Sequence, residues 1–324
     1  MPIEKENTMN ITWDAAGWLK RFRDASENRK LGRTGPEELR GLRKEVFDNT
    51  VAAVKAGAYE PSYTWFKNAA NPNPVVRLGS SPTIAADTRF YQAEIKGSWG
   101  NGGTTDVRVL EGDCLVVARL VAQTEPETAI LNMAYETRPG GGVNSGRGAQ
   151  EEYLFRCSDY FLSLYQYAAD FDPAPYGVEP ASERYPLDLD FGGVFSRGVT
   201  VFRGPEEEGY PLLDKPWKAN FIAVAGPHGL SNAGGLDSPA GRNLANKVRT
   251  VLAIAAENGQ RKLVLSALGC GAFACGATIV ATAFRNAIES AEFAGAFDRI
   301  VFAIKPDHND PDGKNVREFA AAFS

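Results

Sequence analysis

The sequence AILNMAYETRPGGGVNSGRGAQEE, residues 129–152, contains three local patterns in succession. Its first six residues, Ala129–Ala134, form an apolar run with the length of a buried strand. Three consecutive glycines follow at Gly140–Gly142. From Gln150 to Ala169, apolar residues recur at helical spacing and predict a helix. A strand, a glycine-rich turn and a helix in this order indicate an α/β fold.

The alternation of strand and helix continues toward the C-terminus. Further strands are predicted at residues 107–110, 199–202, 221–225, 263–268 and 300–304, and further helices at residues 241–258 and 277–293. A second glycine-rich turn, Gly269–Gly276, connects the strand at 263–268 to the helix after it. Because ligands in open α/β sheets gather beyond the carboxyl ends of strands, both turns are candidate ligand loops.

The first third of the chain is predicted to contain mainly helix and loop. Gly35-Pro36 and the glutamates after it predict a helix start, and Gly57 predicts its end. Residues 61–105 are rich in Pro, Asn, Ser and Gly, which is typical of loops. Residues 172–194 have a similar composition, and a surface connection of that length suggests a functional role.

The bulk composition is that of an ordinary soluble enzyme, with 324 residues, 44% hydrophobic and 23% charged. A net charge of −5 argues against a basic nucleic-acid-binding face. The four cysteines and two histidines are scattered, so they predict neither a disulfide framework nor a metal site. The sequence has no signal-peptide or membrane-spanning apolar run. We therefore expect a cytoplasmic protein, or a nuclear one if the source is eukaryotic.

Glycines allow a turn to bring its backbone N–H groups close to a bound anion. Without a Cβ the chain adopts positive φ angles, and successive amides then form an anion-binding concavity. The helix start at Gln150 adds free N–H groups and the positive end of a helix dipole. A phosphate or diphosphate suits such a site without lysine or arginine, and a tight turn with no ligand is the alternative.

Two adjacent carboxylates, Glu151 and Glu152, open the helix after the triple glycine. Acidic residues are favourable at any helix start, so the pair alone has an ordinary structural explanation. Adjacent helical residues point about 100° apart, so we expect the two side chains to divide labour. One can orient a sugar hydroxyl while the other reaches a glycosidic oxygen. A general acid needs a raised pKa, from burial or from its neighbour, and we expect the pair to titrate as a coupled unit.

The spacing of the glycines and the carboxylates resembles that of a known family. Gly140–Gly142, seven further residues and then Gln150-Glu151-Glu152 are similar to the GGG–spacer–QEE pattern of poly(ADP-ribose) glycohydrolases of the microbial type. The flanking segments LNMAYETRPGGG and EEYLFRCSDYFLSLY are similar as well. The resemblance extends over roughly residues 106–306.

This resemblance implies a macrodomain-like three-layer α/β/α sandwich with a mixed sheet, spanning residues 106–324. Residues 1–105 are expected to form an N-terminal helical accessory region that covers one edge of the sheet. The implied activity is hydrolysis of ribose–ribose O-glycosidic bonds in poly(ADP-ribose), with no cofactor and no metal. ADP-ribosylated proteins are expected partners, no membrane is involved, and the chain is expected to be a monomer.

The resemblance also implies roles for individual residues. Glu152 would act as general acid and then activate water, and Glu151 would hold the hydroxyls of the neighbouring ribose. Asn132 would bind the distal ribose, Gln150 would extend this set of hydrogen-bonding side chains, and Asp113 would meet the adenine amino group. The diphosphate would be lined by Gly140, Gly141, Gly142 and Val143 and by Gly269, Cys270, Gly271, Ala272 and Phe273, with the Phe273 ring packed by the distal ribose.

Two other functions stay open at this point. The substrate could be mono-ADP-ribose on a protein or nucleic acid, or the domain could be a non-catalytic ADP-ribose reader, because a fold does not fix function. The intact glutamate pair argues against a reader, which needs no acid. A phosphate-loop kinase or nucleotidase is disfavoured, because the sequence contains no GxxxxGK[ST] motif.

Overall fold

A mixed seven-stranded sheet forms the centre of the computed structural model, which describes residues 11–62, 74–79, 85–122, 128–231, 235–307 and 309–324. The strands are β1 (Ala58–Tyr59), β2 (Val76–Arg77), β3 (Thr88–Tyr91), β4 (Asp106–Glu111), β5 (Thr128–Ala134), β6 (Gly193–Arg203), β7 (Leu212–Ala225), β8 (Lys262–Leu265) and β9 (Arg299–Ile304). The helices are α1 (Ala15–Lys30), α2 (Glu37–Ala56), α3 (Cys114–Ala122), α4 (Gln150–Cys157), α5 (Phe161–Leu164), α6 (Pro239–Glu257), α7 (Ala277–Ile288) and α8 (Lys314–Ala322).

The strand order brings the ends of three parallel strands together. Across the sheet the order is β3-β6-β7-β5-β8-β9-β4. β6 runs antiparallel to β3 and β7, whereas β7, β5, β8, β9 and β4 are parallel to one another. The carboxyl ends of β7, β5 and β8 therefore lie side by side. β1 and β2 form a separate antiparallel pair.

Helices cover both faces of the sheet, which confirms the predicted three-layer architecture. Ile130 and Ala134 of β5 pack into an apolar cluster shared with α1, α2 and α4. The alternate residues Ala129 and Leu131 pack into a second cluster shared with α6 and α7. Asn132 lies between Ile130 and Ala134 on the α4 side, where it is a buried polar residue in an otherwise apolar row.

The strands predicted from the sequence are all present within β4 to β9. The predicted helices at 241–258 and 277–293 correspond to α6 and α7, although α7 ends earlier, at Ile288. α2 begins after Pro36 and ends at Gly57, whose φ of 66° gives a left-handed C-cap. α1, α3 and α8 were not individually predicted. None of the helices in the described ranges combines the length and apolar character needed to cross a membrane.

The predicted single helix from Gln150 to Ala169 is wrong, because α4 ends at Cys157 and α5 begins at Phe161. Ser158 adopts an extended conformation and forms an isolated antiparallel bridge with Val201 of β6. The carboxylate of Asp159 accepts a hydrogen bond from the backbone N–H of Thr200 at 2.7 Å. These contacts with β6 replace helical hydrogen bonds, and periodicity within the segment cannot reveal them.

Residues before 106 contribute to a helical layer and also to the sheet. α1 and α2 pack in the same apolar cluster as α4. β3 pairs antiparallel with β6, with Thr88 opposite Ser196. The predicted loop at 61–105 is therefore wrong at residues 88–91, where pairing with β6 supplies the backbone hydrogen bonds, and at residues 76–77, which pair with β1. Residues 63–73 and 80–84 of that segment lie outside the described residues. The division into residues 1–105 and 106–324 stays a prediction.

Candidate active site

Gln150 fixes the start of α4 against the end of β5. Its Oε1 accepts a hydrogen bond from the backbone N–H of Met133 at 2.9 Å, and its Nε2 donates to the carbonyl oxygen of Leu131 at 2.7 Å. The side chain therefore bonds to β5 as the backbone of a neighbouring strand would. Both of its polar groups have protein partners, so the role that the structure shows for Gln150 is to hold α4 against β5. Its predicted contact with substrate stays a prediction.

Glu151 accepts three hydrogen bonds and is only 3% exposed. Its Oε1 accepts from Gly140 N at 3.1 Å and from Asn132 Nδ2 at 3.3 Å. Its Oε2 accepts from Tyr135 N at 2.8 Å. Burial, followed by the negative charge of Glu152, raises the pKa of Glu151 from its ordinary 4.5 to about 8, against the opposing effect of these hydrogen bonds.

Glu152 is 5% exposed, and its two carboxylate oxygens have different surroundings. Oε1 accepts a hydrogen bond from Gly142 N at 2.8 Å. Oε2 is buried and has no hydrogen-bond partner among the described residues. Because a buried polar atom without a partner costs free energy, this oxygen is suited to bond with a group that a ligand supplies.

The triple glycine allows the chain to pass in contact with the carboxylates. Gly140 and Gly141 have φ angles of +76° and +53°. A Cβ on Gly141 would lie 2.6 Å from Oε1 of Glu152, and a Cβ on Gly140 would lie 2.7 Å from the ring of Phe155. Glycine is therefore required at both positions by close contact as well as by backbone conformation.

The amides of this turn already have acceptors within the protein. Those of Gly140 and Gly142 donate to the two carboxylates. Gly141 N donates to the carbonyl oxygen of Arg138 at 3.2 Å, and Val143 N to that of Gly140 at 3.1 Å. The turn thus holds Glu151 and Glu152 in place, and its predicted contact with a diphosphate stays a prediction.

The second glycine-rich turn lies beside the loop that follows β7. A Cβ on Gly226 would be 3.1 Å from the backbone of Gly269, whose φ is +77°. Gly229 N donates to the carbonyl oxygen of Phe273 at 2.6 Å. The rings of His228 and Phe273 lie 3.8 Å apart between centroids. Residues 226–229 and 269–273 therefore form a paired structure beyond the ends of β7 and β8, the two parallel strands on either side of β5.

The other predicted residues of this turn differ in exposure. Cys270 is buried, and its N–H donates to the carbonyl oxygen of Ala267 at 3.0 Å. Gly271 is half-buried and Ala272 is exposed. Phe273 is half-buried, so part of its ring faces solvent. Its predicted contact with a ribose stays a prediction.

Asp113 caps the start of α3 and also contacts α4. Its Oδ1 accepts hydrogen bonds from the backbone N–H groups of Leu115 and Val116 at 2.9 and 3.1 Å. The hydroxyl of Tyr153, the residue after Glu152, donates to the same oxygen at 2.9 Å. Burial raises the pKa of Asp113, and these hydrogen bonds oppose that rise. The carboxylate thereby links α3 to the catalytic helix, and its predicted contact with adenine stays a prediction.

Asn132 lies next to the two glutamates, near the end of its strand. Its Nδ2 donates to Oε1 of Glu151 and, at 3.4 Å, to the hydroxyl of Tyr160. Its Oδ1 is buried and has no partner in the described part of the chain. Asn132 and Glu152 thus each present one buried polar atom that no described residue satisfies.

Sequence reasoning did not identify two residues of this region, His228 and Tyr160. His228 follows the strand at 221–225, so its place after a strand end was a usable signal. Tyr160 gives no such signal, because it falls within the segment that is predicted as one continuous helix. Among the described residues, no group of three His, Cys, Asp or Glu side chains is arranged to hold a metal ion.

Comparison with known proteins shows which family of enzymes this chain resembles. Residues 49–204 match the family model for the catalytic domain of microbial-type PARG. The poly(ADP-ribose) glycohydrolase (PARG) structure from Thermomonospora curvata superposes with a TM-score of 0.67 at 28% sequence identity, over 87% of this chain and 99% of that one. The chain is therefore similar to microbial-type PARG, in sequence over residues 49–204 and in fold over most of its length.

Other PARG structures carry bound ligands. The Thermomonospora curvata enzyme bound to the inhibitor ADP-HPD matches with a TM-score of 0.65 and 28% identity, over 86% of this chain and 98% of that one. PARG from Deinococcus radiodurans in complex with ADP-ribose matches with a TM-score of 0.59 and 25% identity, over 77% of this chain and 99% of that one. A comparison with curated protein sequences finds no match.

Proposed function

We propose that this chain is a poly(ADP-ribose) glycohydrolase, which hydrolyses ribose–ribose O-glycosidic bonds and releases ADP-ribose. The match to the microbial-type PARG family model and the likeness to structures that bind ADP-ribose and ADP-HPD support this function. The observation that carries the proposal is the environment of Glu152. One of its oxygens is held by Gly142 N at 2.8 Å, and the other is buried and has no partner within the described ranges.

The proposed reaction needs one proton donor and one water molecule. The raised pKa of Glu151, to about 8, keeps Glu151 protonated at neutral pH, so its carboxyl group does not add a second negative charge beside Glu152. Protonated Glu152 donates its proton to the bridging ribose oxygen as the bond from that oxygen to the anomeric carbon breaks. The Glu152 carboxylate then accepts a proton from water, whose oxygen bonds to the anomeric carbon. The net change is addition of water, and Glu152 is protonated again.

The surrounding groups would hold the substrate. We propose that Asn132 Oδ1 accepts a hydrogen bond from a hydroxyl of the distal ribose and that Glu151 holds the hydroxyls of the neighbouring ribose. The two glycine-rich turns flank the diphosphate, with Phe273 against the distal ribose. Asp113 contacts the adenine amino group. Because the carboxyl ends of β5 and β8 lie side by side, one ligand can reach both turns.

Replacement of Glu152 by Gln tests the catalytic assignment. The side chain keeps its shape, and its amide oxygen can still accept from Gly142 N, but it can no longer transfer a proton. We expect ADP-ribose binding to persist and release of ADP-ribose from polymer to fall about 100-fold or more. Chromatography of the products from purified poly(ADP-ribose), with calorimetry of ADP-ribose binding, measures both.

Glu257→Gln is the matched control. It makes the same chemical change at a glutamate that lies exposed at the end of α6. It should retain full turnover. Near-wild-type turnover by the Glu152 variant would contradict the assignment. Further assays compare the polymer with singly ADP-ribosylated protein and DNA. Cleavage of the singly modified substrates alone would contradict the polymer activity.

We also propose that the polymer is presented on ADP-ribosylated proteins, and that the chain acts as a monomer in the cytoplasm. All four cysteines are free thiols, which suits a reducing compartment. Sedimentation of the purified chain at micromolar concentration tests the oligomeric state, and a dimer would contradict it.

A further inference from the structure

Tyr160 lies in the break between α4 and α5 and is fully buried, with an exposure of 0%. Its ring stacks on Phe221 of β7 with a centroid distance of 4.7 Å. On another side the ring of Phe155 from α4 lies 5.0 Å away. Because it is packed between these two aromatic rings, the Tyr160 ring has little freedom to move, and its hydroxyl has a defined position.

The hydroxyl of Tyr160 bonds with the amide of Asn132. Asn132 Nδ2 donates to this hydroxyl at 3.4 Å and to Oε1 of Glu151 at 3.3 Å. An amide nitrogen carries two hydrogens, so these two acceptors use both. If the amide were rotated by 180°, its oxygen would instead face Oε1 of Glu151, which accepts from Gly140 N, and two acceptor oxygens would repel each other. Glu151 and Tyr160 together therefore select one orientation of Asn132.

The Tyr160 hydroxyl can accept from Asn132 while it keeps its own proton, because a phenol oxygen is both a donor and an acceptor. Burial raises the pKa of Tyr160, so the phenol is protonated, and Ser196 of β6 is a second polar neighbour of its hydroxyl. The Ser196 hydroxyl is bonded to that of Ser163 on α5. The Tyr160 oxygen therefore lies between the amide of Asn132 and this pair of hydroxyl groups.

We propose that Tyr160 is a positioning residue that fixes the amide of Asn132 so that Oδ1 accepts a hydrogen bond from a ribose hydroxyl of the substrate. Oδ1 is the atom of Asn132 that is buried and without a protein partner. The inference rests on the proposed function, because it assigns the ribose of ADP-ribose as the ligand of this atom.

The variant Tyr160→Phe tests this role, because it removes the hydroxyl and keeps the ring. Asn132 would then lose one constraint on its orientation in both the bound ground state and the transition state. We expect KM for polymer and Kd for ADP-ribose to rise about three- to tenfold, with kcat within about twofold of wild type. Tyr59→Phe is the matched control, because Tyr59 is a buried tyrosine that donates to Leu213 O at 2.7 Å outside the candidate site. Its KM should be unchanged.

A double variant separates positioning from a general effect on packing. If Tyr160 acts through Asn132, Tyr160→Phe combined with Asn132→Ala should bind ADP-ribose no more weakly than Asn132→Ala alone. Losses that multiply in the double variant, or an unchanged KM in Tyr160→Phe, would overturn the proposal. In either case a retained loss of turnover in Glu152→Gln would leave the proposed function standing.

Ser196→Ala gives a second test if Tyr160→Phe does not fold. It leaves the Tyr160 ring in its packing and removes one of the two polar neighbours of its hydroxyl. The hydroxyl then has fewer groups that fix its orientation, which weakens the bond from Asn132 Nδ2. We expect KM to rise in the same direction with kcat retained, and a wild-type KM in a folded Ser196→Ala protein would contradict the role of Tyr160.

Discussion

Gly141 connects the backbone conformation of the turn to the position of the catalytic carboxylate. Its φ of +53° lies in the left-handed region, and the space where a Cβ would stand is occupied by Oε1 of Glu152 at 2.6 Å. The same Cβ would lie 3.1 Å from Oε2 of Glu151. A methyl group here would therefore have to displace at least one of the two carboxyl groups.

We predict that Gly141→Ala lowers kcat by about tenfold or more, because proton transfer depends on the position of Glu152 to within a fraction of an ångström. The left-handed backbone should also cost about 1–2 kcal/mol of stability. Gly177→Ala is the matched control, because Gly177 has a φ of +75° with nothing within 4 Å of its Cβ position. It should show the stability loss with normal kcat; equal kcat in the two variants would contradict the prediction.

At the scale of elements, α2 forms a support for the catalytic turn and helix. A Cβ on Gly146 would lie 1.9 Å from the carbonyl oxygen of Arg40, so α2 contacts the turn after the triple glycine directly. Farther along α2, the hydroxyl of Thr50 donates to the carbonyl oxygen of Arg156, near the end of α4, at 2.7 Å. The same hydroxyl accepts from Nε of buried Arg203 at 2.8 Å. The N-terminal helices therefore belong to the structure that positions the carboxylates.

We predict that Thr50→Val destabilises the protein by about 1–3 kcal/mol, because it leaves the Arg203 Nε–H without its acceptor in a buried place. Valine has nearly the same shape, so packing is retained. Urea unfolding measures the change as a lower midpoint at constant slope. Thr50→Ser keeps the hydroxyl and should lose much less; a serine variant as unstable as the valine variant would argue that the lost methyl contact matters instead.

At the scale of the whole molecule, the sheet brings together functional groups from distant parts of the chain. β5, β7 and β8 are parallel neighbours, so the segments after Ala134, Ala225 and Leu265 meet at one end of the sheet. The two apolar clusters on either side exclude water from the region of the carboxylates. Burial of Glu151 in this environment is the main reason that its pKa rises. Glu151 therefore binds its proton more tightly in the folded protein than in the unfolded chain.

The raised pKa of Glu151 predicts how folding stability depends on pH. Between its unfolded value of 4.5 and its folded value of about 8, the folded protein binds this proton more tightly than the unfolded chain. The contribution of Glu151 to stability is therefore fully present below pH 4.5 and is lost as the pH rises through about 8. Glu151→Gln removes this titration, so its stability should fall less than that of wild type between pH 5 and pH 8.

Denaturant unfolding at a series of pH values measures this difference. The exposed variant Glu257→Gln should keep the wild-type dependence on pH. Parallel stability curves for Glu151→Gln and wild type would show that Glu151 does not carry the raised pKa. Other buried acids also titrate in this range; for example, burial raises the pKa of Asp159 to about 6. The difference in stability between wild type and Glu151→Gln therefore isolates the contribution of Glu151.

The sequence alone determined the strands β4 to β9, the helices α2, α6 and α7, the two glycine-rich turns and the carboxylate pair. These features depend on local physics: side-chain periodicity, the freedom of glycine and acidic residues at a helix start. Only the tertiary structure decided that the helix breaks at Ser158, that β3 joins the sheet and that Tyr160 reaches Asn132. Each of these depends on hydrogen bonds or packing between residues far apart in the chain. Such contacts depend on the free energy of the whole fold, which no local window of sequence contains.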